Sequence, residues 1–131
     1  MNKSIIDYGI IKADIRFKLV IGETAIGPGK IRLLEKIVKF GSVSAAARDM
    51  DMNVRRAQYL IKTLNDVFNA DVIKTTIGGR AGGNSALTAL GQELINQYHL
   101  LNTAITKSTE LQVKKIPEII LNSINQKGHR I

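Results

Sequence analysis

Period-2 alternation over residues 14–21, helical periodicities between Lys30 and Phe68, and a glycine-rich loop between two short extended runs predict an α+β fold. Their order is strand hairpin, three helices, β-hairpin, long helix. That order predicts a winged helix-turn-helix with an N-terminal β-hairpin and a long C-terminal helix. Three regions follow: an N-terminal arm at 1–13, a winged helix-turn-helix domain at 14–107, and a C-terminal tail at 108–131 with a short helix.

Asp14-Ile15-Arg16-Phe17-Lys18-Leu19-Val20-Ile21 alternates over most of its length, so a half-buried strand with Ile15, Phe17 and Leu19 on its core face is expected. Gly22-Glu23 supplies a turn, Thr24-Ala25-Ile26 a return strand, and Gly27-Pro28-Gly29 a stop. From Lys30 the period becomes helical, with Ile31, Leu34, Ile37 and Val38 on one face and Lys30, Arg32, Glu35, Lys36 and Lys39 on the other. Gly41 closes this helix, and Ser42 or Ser44 caps a second over Ala45–Met50. A third runs from about Asn53, a good N-cap, to Phe68, burying Val54, Ala57, Leu60, Ile61, Leu64 and Val67. Strands at 72–76 and 85–87 flank the loop Gly78-Gly79-Arg80-Ala81-Gly82-Gly83-Asn84. Thr88 then caps a helix to about Lys107, with Leu90, Leu94, Tyr98, Leu101 and Ile105 stepping by three and four. Pro117 opens a short apolar run, Ile119–Ile124, and the end from Gln126 reads as disordered.

Bulk properties narrow the function classes. A chain of 131 residues supports one domain with its own core, and a formal charge of +8 favours a polyanionic partner. The absence of cysteine excludes disulfides, thiolate metal sites and thiol nucleophiles. The N-terminus lacks a signal peptide's apolar run, and no stretch approaches the roughly 20 apolar residues of a membrane span. A soluble, cytoplasmic, nucleoid-associated protein without membrane contact is therefore expected. His99 and His129 have no spaced acid or second histidine for metal or proton-transfer chemistry, so no enzyme, metal or cofactor is expected.

The segment from Gly41 to Asn53 reads as two short helices meeting through a tight turn, with Ala46 and Ala47 small enough for a close crossing. In such motifs the second helix enters the major groove, and here it presents Asn53, Arg55, Arg56, Tyr59 and Lys62 away from its apolar stripe. Arg55, Tyr59 and Lys62 fall at i, i+4 and i+7, along one ridge. Arginine suits bidentate contact with guanine and Lys62 a phosphate. The glycine loop approximates a phosphate-binding G-x-x-x-x-G-K-[ST], but Asn84 replaces the lysine and no βαβ units follow. A hairpin tip fits better, with Gly78, Gly79, Gly82 and Gly83 allowing close approach and Arg80 entering the minor groove or meeting its phosphates.

From Gly29 to about Leu101 the chain resembles the N-terminal DNA-binding domain of the molybdate-responsive regulator ModE and its LysR-like winged-helix relatives. The carriers are Gly41-Ser42-Val43-Ser44-Ala45-Ala46-Ala47, Asn53-Val54-Arg55-Arg56-Ala57, Gly78-Gly79-Arg80-Ala81-Gly82-Gly83 and Leu87-Thr88-Ala89-Leu90-Gly91-Gln92. The resemblance implies a homodimer on an inverted repeat in double-stranded DNA, with Arg55, Arg56, Tyr59, Lys62 and Arg80 at the DNA and Ser44 at its phosphates. Only a short tail follows where a molybdate-binding module stands in that family, so the sensing part is expected to be absent. Tyr59 departs from an acidic residue expected there, which implies a different target sequence. The apolar excess on the long helix, at Leu94, Tyr98, Leu101 and Ile105, is the expected dimer contact. A sequence-specific transcriptional regulator is thus expected; the alternatives are an architectural chromatin-type protein of low specificity and a winged-helix protein-interaction module.

Overall fold

The computed structural model describes residues 6–7, 11–76 and 84–127, with Ile6, Asp7, Gln126 and Lys127 described by backbone alone. Two compact units emerge, one spanning Phe17–His99 and one combining Met1–Arg16 with Leu100–Ile131.

In the first unit, β3 (Leu19–Ile21) pairs antiparallel with β4 (Thr24–Ile26); the preceding β1 (Ile6–Asp7) and β2 (Lys12–Ala13) belong to the second unit. Gly22 opens the two-residue turn between them at φ +60°, a conformation glycine adopts without steric cost. The expected strand over 14–21 is shortened to three residues because its partner cannot grow. Beyond Ile26, Gly27 caps helix α1 (Pro28–Phe40) and Pro28 takes its first turn, so nothing is left to pair with residues 14–18. Leu19 is consequently exposed rather than in the core, while Phe17 packs against the core from the loop.

Helix α1 buries Ile31, Leu33, Leu34 and Ile37 and ends at Gly41, whose φ of 77° lets its N–H reach the Ile37 carbonyl at 2.7 Å. Leu33 takes the core position expected of Val38, which is exposed. Helix α2 (Val43–Asp49) and helix α3 (Val54–Phe68) follow, and Ala46, Ala47 and Ala57 are completely buried among α1–α3. Three side chains of one methyl each set how closely these helices approach. Asn65 Oδ1 then accepts the Val72 N–H at 2.9 Å, tying the end of α3 to the chain that enters β5 (Ile73–Thr76).

β5 pairs with β6 (Asn84–Leu87) in the register Ile73↔Leu87 to Thr76↔Asn84. Ser85 N–H donates to the Gly41 carbonyl at 2.8 Å, so the hairpin is anchored at the C-terminus of α1. Thr88 locks the next junction: its hydroxyl donates to the Asp71 carbonyl at 2.6 Å and accepts the Gly91 N–H at 3.1 Å. Helix α4 (Ala89–Lys127) places Ile95 and Tyr98 in the core of this unit, with Leu90 and Leu94 packed against it. Tyr98 stacks on Phe17 with ring centroids 4.7 Å apart and donates to the Phe17 carbonyl at 3.2 Å. Burial pushes the Tyr98 phenol above its usual value.

The second unit contains the ladder β1–β2, with Ile6 opposite Ala13, and the remainder of α4. The helix expected to stop near Lys107 continues to Lys127 in one 39-residue element. The reason is a stripe at spacing four: Leu101, Ile105, Thr109, Val113, Pro117 and Leu121 are all half-buried or buried. Pro117 removes one backbone hydrogen bond, yet its ring lies on that stripe and is buried, so the period carries through it.

The winged helix-turn-helix class expected from element order is therefore corrected. Among the described residues the chain is mainly helical, with α4 its longest element, and the strands form three separate two-stranded ladders of two to four residues. Ladders that short bury no sheet face of their own, so the core is made mostly by helices.

Close packing at the α4 entry gives a direct test. A Cβ on Gly91 would lie 2.2 Å from the Val72 carbonyl oxygen and 2.9 Å from Leu87 Cδ2. Alanine in a helix interior normally stabilises by about 1 kcal/mol over glycine, but backbone overpacking costs about 1–3 kcal/mol or more and wins here. Gly91→Ala is expected to lower the free energy of unfolding in urea by about 2 kcal/mol; an equal or higher midpoint would contradict the packing.

Candidate nucleic-acid interface

The outer face of α3 is built by its inner one. Ala57, Ile61 and Leu64 are buried and Val54 and Leu60 half-buried, which turns Arg55, Arg56, Gln58, Tyr59, Lys62 and Asp66 to solvent. Tyr59 is 61% exposed, unusual for so large a ring. Arg55, Tyr59 and Lys62 share one ridge, as their spacing predicts. Lys62 is partly engaged: its ammonium donates to Asp66 at 2.8 Å one turn on, and this hydrogen bond raises its pKa above the usual lysine value. Arg56 diverges from that ridge and lines a separate cleft with Lys18 and Lys30.

The N-terminus of α3 is fixed by side-chain capping. Asn53 Oδ1 accepts the Arg56 N–H at 2.8 Å, and Asp51 takes φ 56° so that the turn can close, with its N–H on the Arg48 carbonyl at 3.1 Å. Asn53, expected among the DNA-facing residues, therefore has its carbonyl oxygen committed within the chain. Ser42, not Ser44, caps α2, accepting the Ala45 N–H at 3.0 Å; Ser44 is exposed in the first turn of α2. An ion pair from Lys36 to Asp49, 2.8 Å long, joins α1 to α2.

Other expected positions fall elsewhere. Arg80, Gly78, Gly79, Gly82 and Gly83 lie outside the described residues. Leu94 and Tyr98, expected in a dimer contact, are used in the core of their own unit, while Leu101 and Ile105 are half-buried on the later part of α4. Gln58 was not singled out, yet it lines a shallow cleft of about 230 Å³ with Lys62, Asn65 and Thr75. Its position three residues after Arg55 was the available signal. Among the described residues no cluster of three His, Asp or Glu side chains could hold a metal ion, and no helix is long and apolar enough to cross a membrane.

No protein-family model matches the chain. It is 35% identical over 105 residues to the molybdenum-pterin-binding protein MopA of Rhodobacter capsulatus, covering 79% of this chain and 40% of that protein. The molybdenum-pterin-binding protein MopB of the same organism is 33% identical over 82 residues, 63% of this chain and 30% of MopB. The DNA-binding transcriptional dual regulator ModE of Escherichia coli K12 is 35% identical over 74 residues, 56% of this chain and 28% of ModE. The chain thus spans 40% or less of the length of each of these relatives.

These matches correct the resemblance drawn from the motifs. The longest of the three is to a protein named for molybdenum-pterin binding, so the likeness is not one to the DNA-binding domain of ModE in particular. Nor do they bear out the expected separation of this chain from the molybdenum-binding part. What stands is coarser: the chain is similar to transcriptional regulators and to molybdenum-binding proteins, and none of these names is that of an enzyme.

Replacing Asn53 with alanine removes the α3 cap and is expected to lower stability by about 1 kcal/mol with an unchanged denaturant slope. An unaltered midpoint would show that the cap contributes nothing.

Proposed function

We propose that the chain binds double-stranded DNA in a sequence-dependent way and acts as a transcriptional regulator, with α3 as the helix that reads the major groove. The observation that carries this reading is the outer face of α3. It joins two arginines, a glutamine, a lysine and an exposed tyrosine on one helix, in a chain of net charge +8. Arginine and glutamine match the donor and acceptor edges of guanine and adenine, and lysine supplies a point charge for phosphate. The name of the Escherichia coli relative, a DNA-binding transcriptional regulator, supports the same reading. Two copies on a two-fold-symmetric site belong to the proposal, since a single 15-residue helix reads only a few base pairs.

A second reading is favoured by the 105-residue match to MopA: a molybdenum-binding protein. Equilibrium dialysis against molybdate in the absence of DNA separates the two. Regulator and molybdenum carrier are compatible only if both ligands bind.

The leading reading is tested by selecting duplexes from a random pool and competing the winner against random DNA. A preference of about 10³-fold or more is expected, and a flat profile would contradict it. Arg55→Ala should then cost about 1–3 kcal/mol and relax specificity at one base position. Asp66→Asn should do the opposite to affinity. It releases Lys62 and removes a negative charge, so random duplex binds more tightly at low salt, the gain fading as salt rises. Weaker or unchanged binding would remove Lys62 from the interface.

A further inference from the structure

Between the start of α1, strand β4 and α3 lies a cleft of about 240 Å³ into which three cationic side chains converge: Lys18, Lys30 and Arg56. No carboxylate lines it, and none of the three makes a recorded ion pair among the described residues. Met52 and Leu60 supply an apolar part of its lining.

The position of Lys18 is built rather than incidental. Its stem crosses Gly27 so closely that a Cβ there would meet Lys18 Cγ at 2.9 Å and Cδ and Cε at 3.6 Å. Gly27 is also the residue before α1, and it provides no side-chain cap. The first turn of α1 carries no acid. The positive end of α1 thus carries neither a side-chain cap nor an acidic residue beside the cleft that Lys18, Lys30 and Arg56 line. Burial lowers the Lys30 pKa from its usual value, and the neighbouring Lys18 ammonium lowers it further. Such mutual repulsion without a counter-charge is unfavourable and is relieved by an anion.

We infer that this cleft is a binding site for a tetrahedral oxyanion, held by Lys18, Lys30 and Arg56 at the start of α1. Three donors from different elements suit an anion that presents oxygens in several directions, and Arg56 offers a planar pair of N–H groups to two of them. The oxyanion is either a free dianion or a phosphate of a nucleic-acid backbone; both present the same oxygens. The inference does not depend on base reading by α3.

Calorimetric titration of the full chain with sulfate and with molybdate, at constant ionic strength, is paired with duplex binding over a range of salt. The parent is compared with Lys18→Gln and Lys30→Gln, which keep most of each stem. If the site takes a free oxyanion, the parent binds sulfate or molybdate saturably and each variant binds about tenfold more weakly or worse. If it takes a backbone phosphate, the ions show no saturable binding. Instead the slope of log K against log salt for random duplex falls by about 0.9 for each lysine replaced. Sulfate-induced amide shifts in the parent, centred on residues 27–31, report on the free-ion case without any variant. The inference is overturned if both variants match the parent in ion titration and in salt slope. It is equally overturned if ions bind but the shifts lie away from the cleft. Because the ion titration needs no DNA, a failure of the α3 reading leaves this test intact.

Discussion

Ala46, Ala47 and Ala57 are wholly buried where α1, α2 and α3 come together. With side chains that small, the helix backbones approach closely and α3 is held by its inner stripe of Ala57, Ile61 and Leu64. A larger residue at any of the three would push the helices apart and rotate the outer face of α3 with them. The caps at Ser42 and Asn53 hold the ends of the same pair of helices, and the bond from Asn65 to Val72 holds the far end of α3 against the following hairpin. The ridge of Arg55, Tyr59 and Lys62 is thus a consequence of packing on the opposite side of the helix.

That packing was largely legible in the sequence where local rules govern it. Helical periodicity, Gly41 as a C-terminal stop and Asn53 as a cap are decided within a few residues, and α1–α3 form close to where these signals place them. Features that depend on distant partners were not legible. The alternation over 14–21 gave no sign that Gly27 and Pro28 would limit the partner strand, so Leu19 is exposed. Pro117 reads locally as a break, while the stripe that carries α4 past it extends from Leu101 to Leu121. Tyr98 had the spacing of an external contact, but its partner is Phe17, 81 residues away. The overall class suffered most, because it was inferred from the order of elements, whereas the long α4 and the isolated short ladders determine the actual architecture.

The same division holds for the candidate site. The ridge on α3 follows from arithmetic on one helix. The cleft of Lys18, Lys30 and Arg56 joins residues from three segments, and only the fold brings them together. Arg56 belongs to both neighbourhoods, since it is exposed on α3 and lines the cleft with Lys18 and Lys30. Resemblance read from motifs pointed to a DNA-binding domain alone. The relatives widen this to proteins named for molybdenum-pterin binding, and their matched lengths leave most of each relative outside the comparison.

Amide chemical-shift mapping of the full chain titrated with a selected duplex tests the central claim most directly. Binding through the outer face of α3 predicts the largest changes at Arg55, Gln58, Tyr59 and Lys62, with smaller ones at Ala57, Ile61 and Leu64 on the buried side. Saturating changes concentrated on the later part of α4, with α3 silent, would contradict the account.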